Sequence, residues 1–220
     1  MRNLYDRILL GCLAAAALLG PTAALAEDIV VESSPSIAVV EDLHDSLIVM
    51  MKQADELGYQ GRCDYLTPVI DRTIDQDFMA RKSIGLQWKH LSEADQARWQ
   101  TAFSRLTVAN YAGRFTGFDG ESFENLGQVD GPKETVIVQT KIVLPKEDDV
   151  QLNYRLRETD KGWRVIDIYM NGTVSELSLR RSEYSSTLKR DGFESLVVAV
   201  DDKADALAAE GGASASAKVN

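Results

Sequence analysis

The sequence is poor in the residues that carry most catalytic and metal chemistry. Its 220 residues include only two histidines, His44 and His90, and only two cysteines, Cys12 and Cys63. Neither histidine has a His or Cys partner at the spacing of a metal site, and a catalytic site needs several such groups together. There is also no glycine-rich phosphate loop, no Gly-x-Ser-x-Gly elbow and no paired-cysteine motif. We therefore expect no catalytic residue, no metal and no cofactor.

A long hydrophobic run is missing as well. The apolar stretch at residues 8–19 is too short for a membrane span, which needs about 20 apolar residues. Arg2 and Arg7 precede this stretch and a small-x-small triplet at residues 24–26 follows it, which is the pattern of a secretory signal peptide. The sequence thus predicts a signal peptide over residues 1–26, cleaved on export to the periplasm. One cysteine would leave with it, so no intramolecular disulfide is expected.

Positive charge is scarce. The chain has 24 Lys and Arg against 34 Asp and Glu, which gives a formal net charge of −10 at pH 7. Because nucleic-acid binding depends on Lys and Arg that neutralise phosphates, we expect no nucleic-acid partner. The acidic surface also disfavours lasting adsorption to anionic bilayers, which repel it.

The apolar pattern predicts helices first and strands second. Residues 27–35 are expected to form an extended lead-in, and residues 36–118 have apolar residues at helical spacing. Ser92, with Asp95 three residues later, has the pattern of a helix N-terminus. Between 121 and 171 apolar and polar residues alternate, which is typical of an antiparallel sheet with one dry and one wet face.

The end of the chain predicts more helix and then disorder. Apolar residues recur at helical spacing on both sides of Gly192, which indicates two closing helices over residues 174–209. Residues 210–220 are Gly, Ala and Ser with few hydrophobic residues, so we expect a disordered tail. Residues 36–209 are therefore predicted to be a single α+β domain.

Asp167 is the polar residue that stands out, since its strand is otherwise apolar. A carboxylate beside a sheet-lined cavity can have a raised pKa and act as a base. That interpretation gives an isomerase- or dehydratase-type enzyme with Tyr154 or Tyr169 as the partner. The competing interpretation is that Asp167 caps the following turn or helix, or pairs with Arg180 or Arg181. We favour the latter, because no second acid–base group can be placed beside Asp167.

Arg181 interrupts an apolar stripe. Leu177, Tyr184 and Leu188 have the spacing of one buried helix face, and Arg181 falls among them. Its side chain either extends to the surface or meets an anionic headgroup at the mouth of a pocket. The first alternative is the more common one for a lone arginine.

The ordered set of motifs resembles a known family. Trp163-x-x-x-Asp167 is followed by a Gly-Thr-Val-Ser turn at 172–175 and by Arg-Ser-Glu-Tyr at 181–184. Upstream, the Leu-Ser-Glu-Ala-Asp-Gln segment at 91–96 fits as well. Over residues 36–208 the chain resembles the MlaC/toluene-tolerance family of periplasmic phospholipid-binding proteins.

The resemblance implies an NTF2-like antiparallel sheet with several packed helices that enclose an apolar pocket. It implies a lipid carrier, not an enzyme, that moves lipid between an inner-membrane ABC transporter with an MCE-domain protein and an outer-membrane lipoprotein complex. The turn at 171–175 looks more like the hopanoid-associated branch, HpnM. The expected ligand is therefore a phospholipid or a hopanoid-like lipid.

The resemblance also implies which residues surround the lipid. They are the apolar residues expected on the inner faces of the helices and of the sheet, and Arg181 is the candidate for the mouth. The expected pocket residues are Phe78, Ile84, Trp88, Phe103, Leu106, Tyr111, Val138, Ile142, Leu152, Tyr154, Ile168, Met170 and Val174.

Overall fold

The first helix begins where the described part of the chain begins. The computed structural model describes residues 34–217, with side chains as far as residue 211. The predicted signal peptide and most of the predicted lead-in thus lie outside the described residues. Helix α1 (Pro35–Lys52) has Ser34 as its N-cap, whose hydroxyl accepts a hydrogen bond from the Ile37 N–H. Pro35, which the sequence assigned to the lead-in, belongs to the first turn of this helix.

Three further helices and a 3₁₀ turn complete the helical half. Helix α2 bends at Gly58, whose φ of +60° interrupts the helical backbone. The predicted N-cap at Ser92 is confirmed, because its hydroxyl accepts a hydrogen bond from the Asp95 N–H at 3.1 Å. The bounds are α2 (Ala54–Thr73), α3 (Gln76–Ser83), the 3₁₀ turn (Gly85–His90) and α4 (Glu93–Arg114).

The sheet is an antiparallel meander in the order β1-β2-β3-β4-β5. Its strands are β1 (Ser122–Gly131), β2 (Thr135–Val143), β3 (Val150–Thr159), β4 (Gly162–Met170) and β5 (Val174–Ser175). The short β5 pairs with β4 where the sequence predicted the start of a helix. In β3 the residues Leu152, Tyr154 and Leu156 are buried, as expected for the dry face. The predicted α+β fold class is confirmed.

Helix α5 (Glu176–Ala217) closes the domain and bends at Gly192, whose φ is +84°. The prediction of a disordered tail from residue 210 is wrong as far as Ala217, because the helix continues to that residue. Two causes are visible: the segment is rich in alanine, the strongest helix former, and Gly211 lies against the ring of Tyr59.

The core lies between the dry face of the sheet and the helices. Trp99 of α4 is fully buried, donates its indole N–H to the Ala80 carbonyl at 2.9 Å and meets Tyr184 of α5 edge-on at 5.2 Å. One side chain thus connects three helices. No helix within residues 34–217 has the length and hydropathy to cross a membrane.

Candidate functional site

A small cavity lies between the sheet and the facing ends of α4 and α5. Its volume is about 40 Å³. Alternate residues of β3 and β4 form its sheet side, as expected where successive side chains point to opposite faces. The lining residues are Leu152, Tyr154, Ile168 and Met170 from the sheet, and Asn110, Tyr111, Arg114, Phe115, Glu176 and Arg180 from the helices or their ends.

The cavity has an apolar floor and a charged rim. The most deeply buried lining residues, between 2% and 8% exposed, are Leu152, Tyr154, Ile168 and Phe115, and these form the floor. Arg114, Glu176 and Arg180 are only partly buried, and we call these three residues the charged rim. The arrangement suits a ligand with an apolar body and a polar end.

Glu176 and Arg180 form an ion pair at the rim, one helical turn apart. A Glu176 carboxylate oxygen accepts hydrogen bonds from Arg180 Nη2 at 2.7 Å and from Nε at 3.2 Å. Burial acts to raise the pKa of Glu176, but the positive charges of Arg180 and Arg114 outweigh it and hold that pKa below its usual value. The Arg180 guanidinium also lies 5.5 Å from the centre of the Phe103 ring.

A buried histidine, His44, contacts the floor residue Tyr154. His44 Nε2 lies 3.0 Å from the Tyr154 hydroxyl, and its ring stacks on Phe123 at 3.9 Å. Burial lowers the pKa of His44 to about 3, so the imidazole is neutral at neutral pH. Burial also raises the pKa of Tyr154 well above its usual value. Sequence reasoning missed this pair, because it joins residues 110 positions apart.

Asp167 caps helix α5. Its carboxylate accepts hydrogen bonds from the Ser175 hydroxyl at 2.6 Å, the Ile168 N–H at 2.9 Å and the Leu177 N–H at 3.1 Å. The register pairs Asp167 with Arg155 and its neighbour Ile168 with Tyr154, so Asp167 faces away from the cavity floor. This geometry agrees with the capping interpretation and separates Asp167 from Tyr154, although Tyr169, two residues along the same strand, lies on the face of Asp167.

The structure brings five of the predicted pocket residues together at the cavity. These are Tyr111, Leu152, Tyr154, Ile168 and Met170. Five others are buried in the core but do not line the cavity, namely Ile84, Phe103, Leu106, Val138 and Ile142. These five side chains pack between helices and strands in the core, so they support the cavity walls without lining the cavity.

The remaining predicted residues lie elsewhere. Phe78 borders a polar cleft, where the Arg157 guanidinium is 4.5 Å from its ring centre. Trp88 is part of the 3₁₀ turn, and Val174 is in β5 beside Met170. None of these three lines the cavity.

Arg181 is not at the mouth of the cavity. Its side chain is exposed and its guanidinium lies against Gly85, so close that a Cβ at that glycine would be 2.8 Å from Arg181 Nη2. Arg180, one residue earlier, is the arginine that lines the cavity. The sequence does carry a signal for it, since Glu176 and Arg180 have the i, i+4 spacing of a helical ion pair.

Two larger depressions are more open, and many polar side chains border them. A cleft of about 430 Å³ is bordered by several acidic and basic side chains, Asp75 and Arg157 among them. A groove of about 570 Å³ runs between α2, α4 and α5 past Tyr59 and Arg105. An apolar ligand would desolvate many polar groups at either place, so the smaller cavity is the better candidate for one.

Helices that close one face of an antiparallel sheet around a small cavity make this an α+β protein with a candidate binding site. The sequence matches the family described as "MlaC protein" over residues 41–201, so the chain belongs to the MlaC family, as predicted. The phospholipid-binding protein from Ralstonia solanacearum, solved in complex with a phospholipid, has the same fold. The TM-score is 0.69 at 21% identity, and the match covers 78% of this chain and 97% of that one. No curated protein matches the sequence.

Proposed function

We propose that this protein carries a lipid, with the acyl or polycyclic part in the cavity between sheet and helices. The observation that carries the proposal is the pairing of an apolar floor with a charged rim. Membership of the MlaC family supports it, as does the shared fold with a protein described as phospholipid-binding. The cargo is a phospholipid or a hopanoid-like lipid, the latter if the turn at 171–175 marks the HpnM branch.

The route of transport is part of the same proposal. The predicted signal peptide supports a periplasmic carrier, and the resemblance to the MlaC family supports a route between an inner-membrane ABC/MCE transporter and an outer-membrane lipoprotein complex. Its acidic surface favours release from each anionic membrane that it visits. The protein would thus serve lipid homeostasis of the outer membrane.

Lipid binding requires the cavity to widen. A volume of about 40 Å³ is far below the roughly 300–1,000 Å³ of pockets that hold small molecules. Residues 176–191 of α5 contribute part of the rim and end at the backbone break of Gly192. We infer that this segment moves outward about Gly192 when lipid enters, because a break in helical hydrogen bonding is a natural hinge.

Native mass spectrometry of protein purified from its own host tests the proposal. We expect one lipid per chain, identified after solvent extraction of the same sample. Loading from vesicles of host lipids serves as the second arm. Protein that emerges without lipid and takes up none from vesicles would overturn the proposal.

Replacing Met170 with tryptophan is expected to reduce lipid occupancy several-fold. Met170 lines the cavity and is only partly buried, so the larger ring can fill the space with little strain. Leu179→Trp is the matched control, because Leu179 is 57% exposed on the neighbouring helix. Occupancy is measured by native mass spectrometry, and equal occupancy in the two variants would contradict the position assigned to the pocket.

A further inference from the structure

We propose that the 3₁₀ turn at residues 85–90 is the surface through which this protein contacts an anionic bilayer. The contact is made by Leu86 and by four basic residues around it, Arg81, Lys82, Lys89 and Arg181, which together we call the Leu86 patch. The inference goes beyond lipid carriage, because it concerns where the protein meets a membrane and not what its cavity holds.

Leu86 is the tip of the patch. Its side chain is 74% exposed, more than any other large apolar side chain within the described residues. Side chains three residues apart align in a 3₁₀ turn, so the exposed Lys89 lies on the same side as Leu86. An apolar side chain beside a cation is the combination that enters the boundary between lipid headgroups and acyl chains.

The turn that presents Leu86 is anchored to the domain. Ile84, directly before the turn, is 2% exposed, and Trp88 within it packs against the core. The Trp88 carbonyl also accepts a hydrogen bond from Gln96 Nε2 at 3.0 Å. Because the turn is already fixed, little ordering of the backbone is needed when Leu86 enters a bilayer.

Cations reach the turn from two helices. Arg81 and Lys82 are exposed in the last turn of α3, and the Arg181 guanidinium of α5 lies directly against Gly85. None of the four cations of the patch forms an ion pair with another residue of the part of the chain that the structure describes. Residues 78–92 contain no Asp or Glu at all.

The charge balance of the patch stays positive when the neighbouring acids are included. Asp77 and Glu93 border residues 78–92, while Glu183 is close to Arg181 in the chain but pairs with Lys203 at 3.6 Å. Four cations thus stand against two acids without such a partner. In a chain with a formal net charge of −10, an anionic bilayer attracts this patch and repels most of the remaining surface. The contact is therefore oriented, weak and reversible.

The shape of the patch favours a bilayer over an acidic protein as the partner. A stable protein interface buries about 800 Å² on each side, with several apolar side chains at its centre. Here a single leucine protrudes, and its neighbours Ile84 and Trp88 are wholly or partly buried. Insertion of one side chain into a charged lipid surface requires no larger apolar area.

Co-sedimentation of the protein with vesicles tests the inference. One set of vesicles contains equal parts of phosphatidylglycerol and phosphatidylcholine, and the other contains phosphatidylcholine alone. We expect binding to the anionic vesicles at low ionic strength, at least about tenfold weaker binding to the neutral ones, and loss of binding at high salt. Leu86→Ser and the double variant Lys82→Gln/Lys89→Gln should each weaken binding to the anionic vesicles about tenfold.

Matched controls remove the same chemistry elsewhere. Val198→Ser changes a side chain of α5 that is 54% exposed, and Lys133→Gln/Lys146→Gln removes two exposed lysines from the turns that flank β2. Both controls are expected to bind like the parent. An equal fall in the controls and in the patch variants, with thermal unfolding showing all of them folded, would overturn the inference.

The other outcomes are distinct from failure of the proposed function. Equal binding to neutral and anionic vesicles overturns the inference, and so does absence of binding to the anionic ones, which would leave an acidic protein face as the partner that these charges fit. Lipid occupancy is measured separately by native mass spectrometry. Vesicle binding without any lipid uptake would contradict lipid carriage and leave the membrane-contact surface intact.

Discussion

Replacement of Asp167 by alanine is expected to lower the free energy of unfolding by about 3 kcal/mol. The Asp167 carboxylate accepts hydrogen bonds from Ser175, Ile168 and Leu177. Alanine leaves those donors without an acceptor at a largely buried position and removes the N-terminal support of α5. Urea unfolding at neutral pH measures the loss. A loss below about 1 kcal/mol, the value of an ordinary exposed cap, would contradict the structural role.

Two further variants make that experiment specific. Asp191→Ala removes an exposed carboxylate from the same helix, and we expect its free energy of unfolding to change by less than about 0.5 kcal/mol. Asp167→Asn keeps one carbonyl oxygen that can accept from both N–H groups, so we expect a loss of about 1 kcal/mol. We also expect Asp167→Asn to retain bound lipid. An isomerase- or dehydratase-type role for Asp167 would not require that the protein holds a lipid.

Asp167 does not itself make the fold sensitive to acid. Burial raises the pKa of Asp167, and its hydrogen bonds offset only part of that effect. Because the folded-state pKa lies above the unfolded-state value near 3.8, the group's contribution to stability is present below that value and is lost as pH rises through the folded-state pKa. Acid sensitivity must therefore come from groups with lowered pKa values.

The sequence was sufficient for the fold class because both periodicities are local. Helical spacing over 36–118 and alternation over 121–171 can be read within windows of a few residues. The same reasoning failed at the tail, where Gly and Ser suggested disorder but Gly211 packs on Tyr59 as part of α5. That contact depends on where α2 lies in space, which no local pattern contains.

The predicted pocket and the cavity overlap only in part for the same reason. Leu152 and Tyr154 line the cavity together because alternate residues of a strand share a face. Phe103 and Leu106 were assigned to the pocket but are core, since periodicity gives the buried face of a helix and not the element that it meets. Arg180 was missed in favour of Arg181 because successive residues on a helix differ by about 100° in direction.

Acidification from pH 7.5 to pH 5 is expected to destabilise the protein by about 2 kcal/mol through His44 alone. The pKa of His44 is about 3 in the fold, against 6.5 when the group is free of its surroundings. Below pH 6.5 the unfolded chain therefore binds a proton that the folded chain does not. Stability is complete above that pH and falls by about 1.4 kcal/mol per pH unit until the folded-state pKa is reached.

Glu176 also makes the protein less stable on acidification, but it does so at lower pH than His44. The pKa of Glu176 is lowered in the fold, because its burial is outweighed by Arg180 and Arg114. Its contribution is present above its unfolded-state value near 4.5 and is lost as pH falls through the folded-state value. Between pH 7.5 and pH 5 Glu176 is mostly ionised in both states, so it contributes little to the change in stability across this window.

The test compares how steeply the free energy of unfolding changes with pH in the parent protein and in a His44 variant. His44→Gln keeps a polar group that can reach the Tyr154 hydroxyl, but it removes the titrating ring and its stacking on Phe123. We expect this variant to be less stable at pH 7.5 and to lose about 2 kcal/mol less than the parent between pH 7.5 and pH 5. Equal slopes in His44→Gln and the parent, measured by urea unfolding across the window, would show that His44 is protonated in the fold. The hydrogen bond beneath the cavity floor would then be that of an imidazolium.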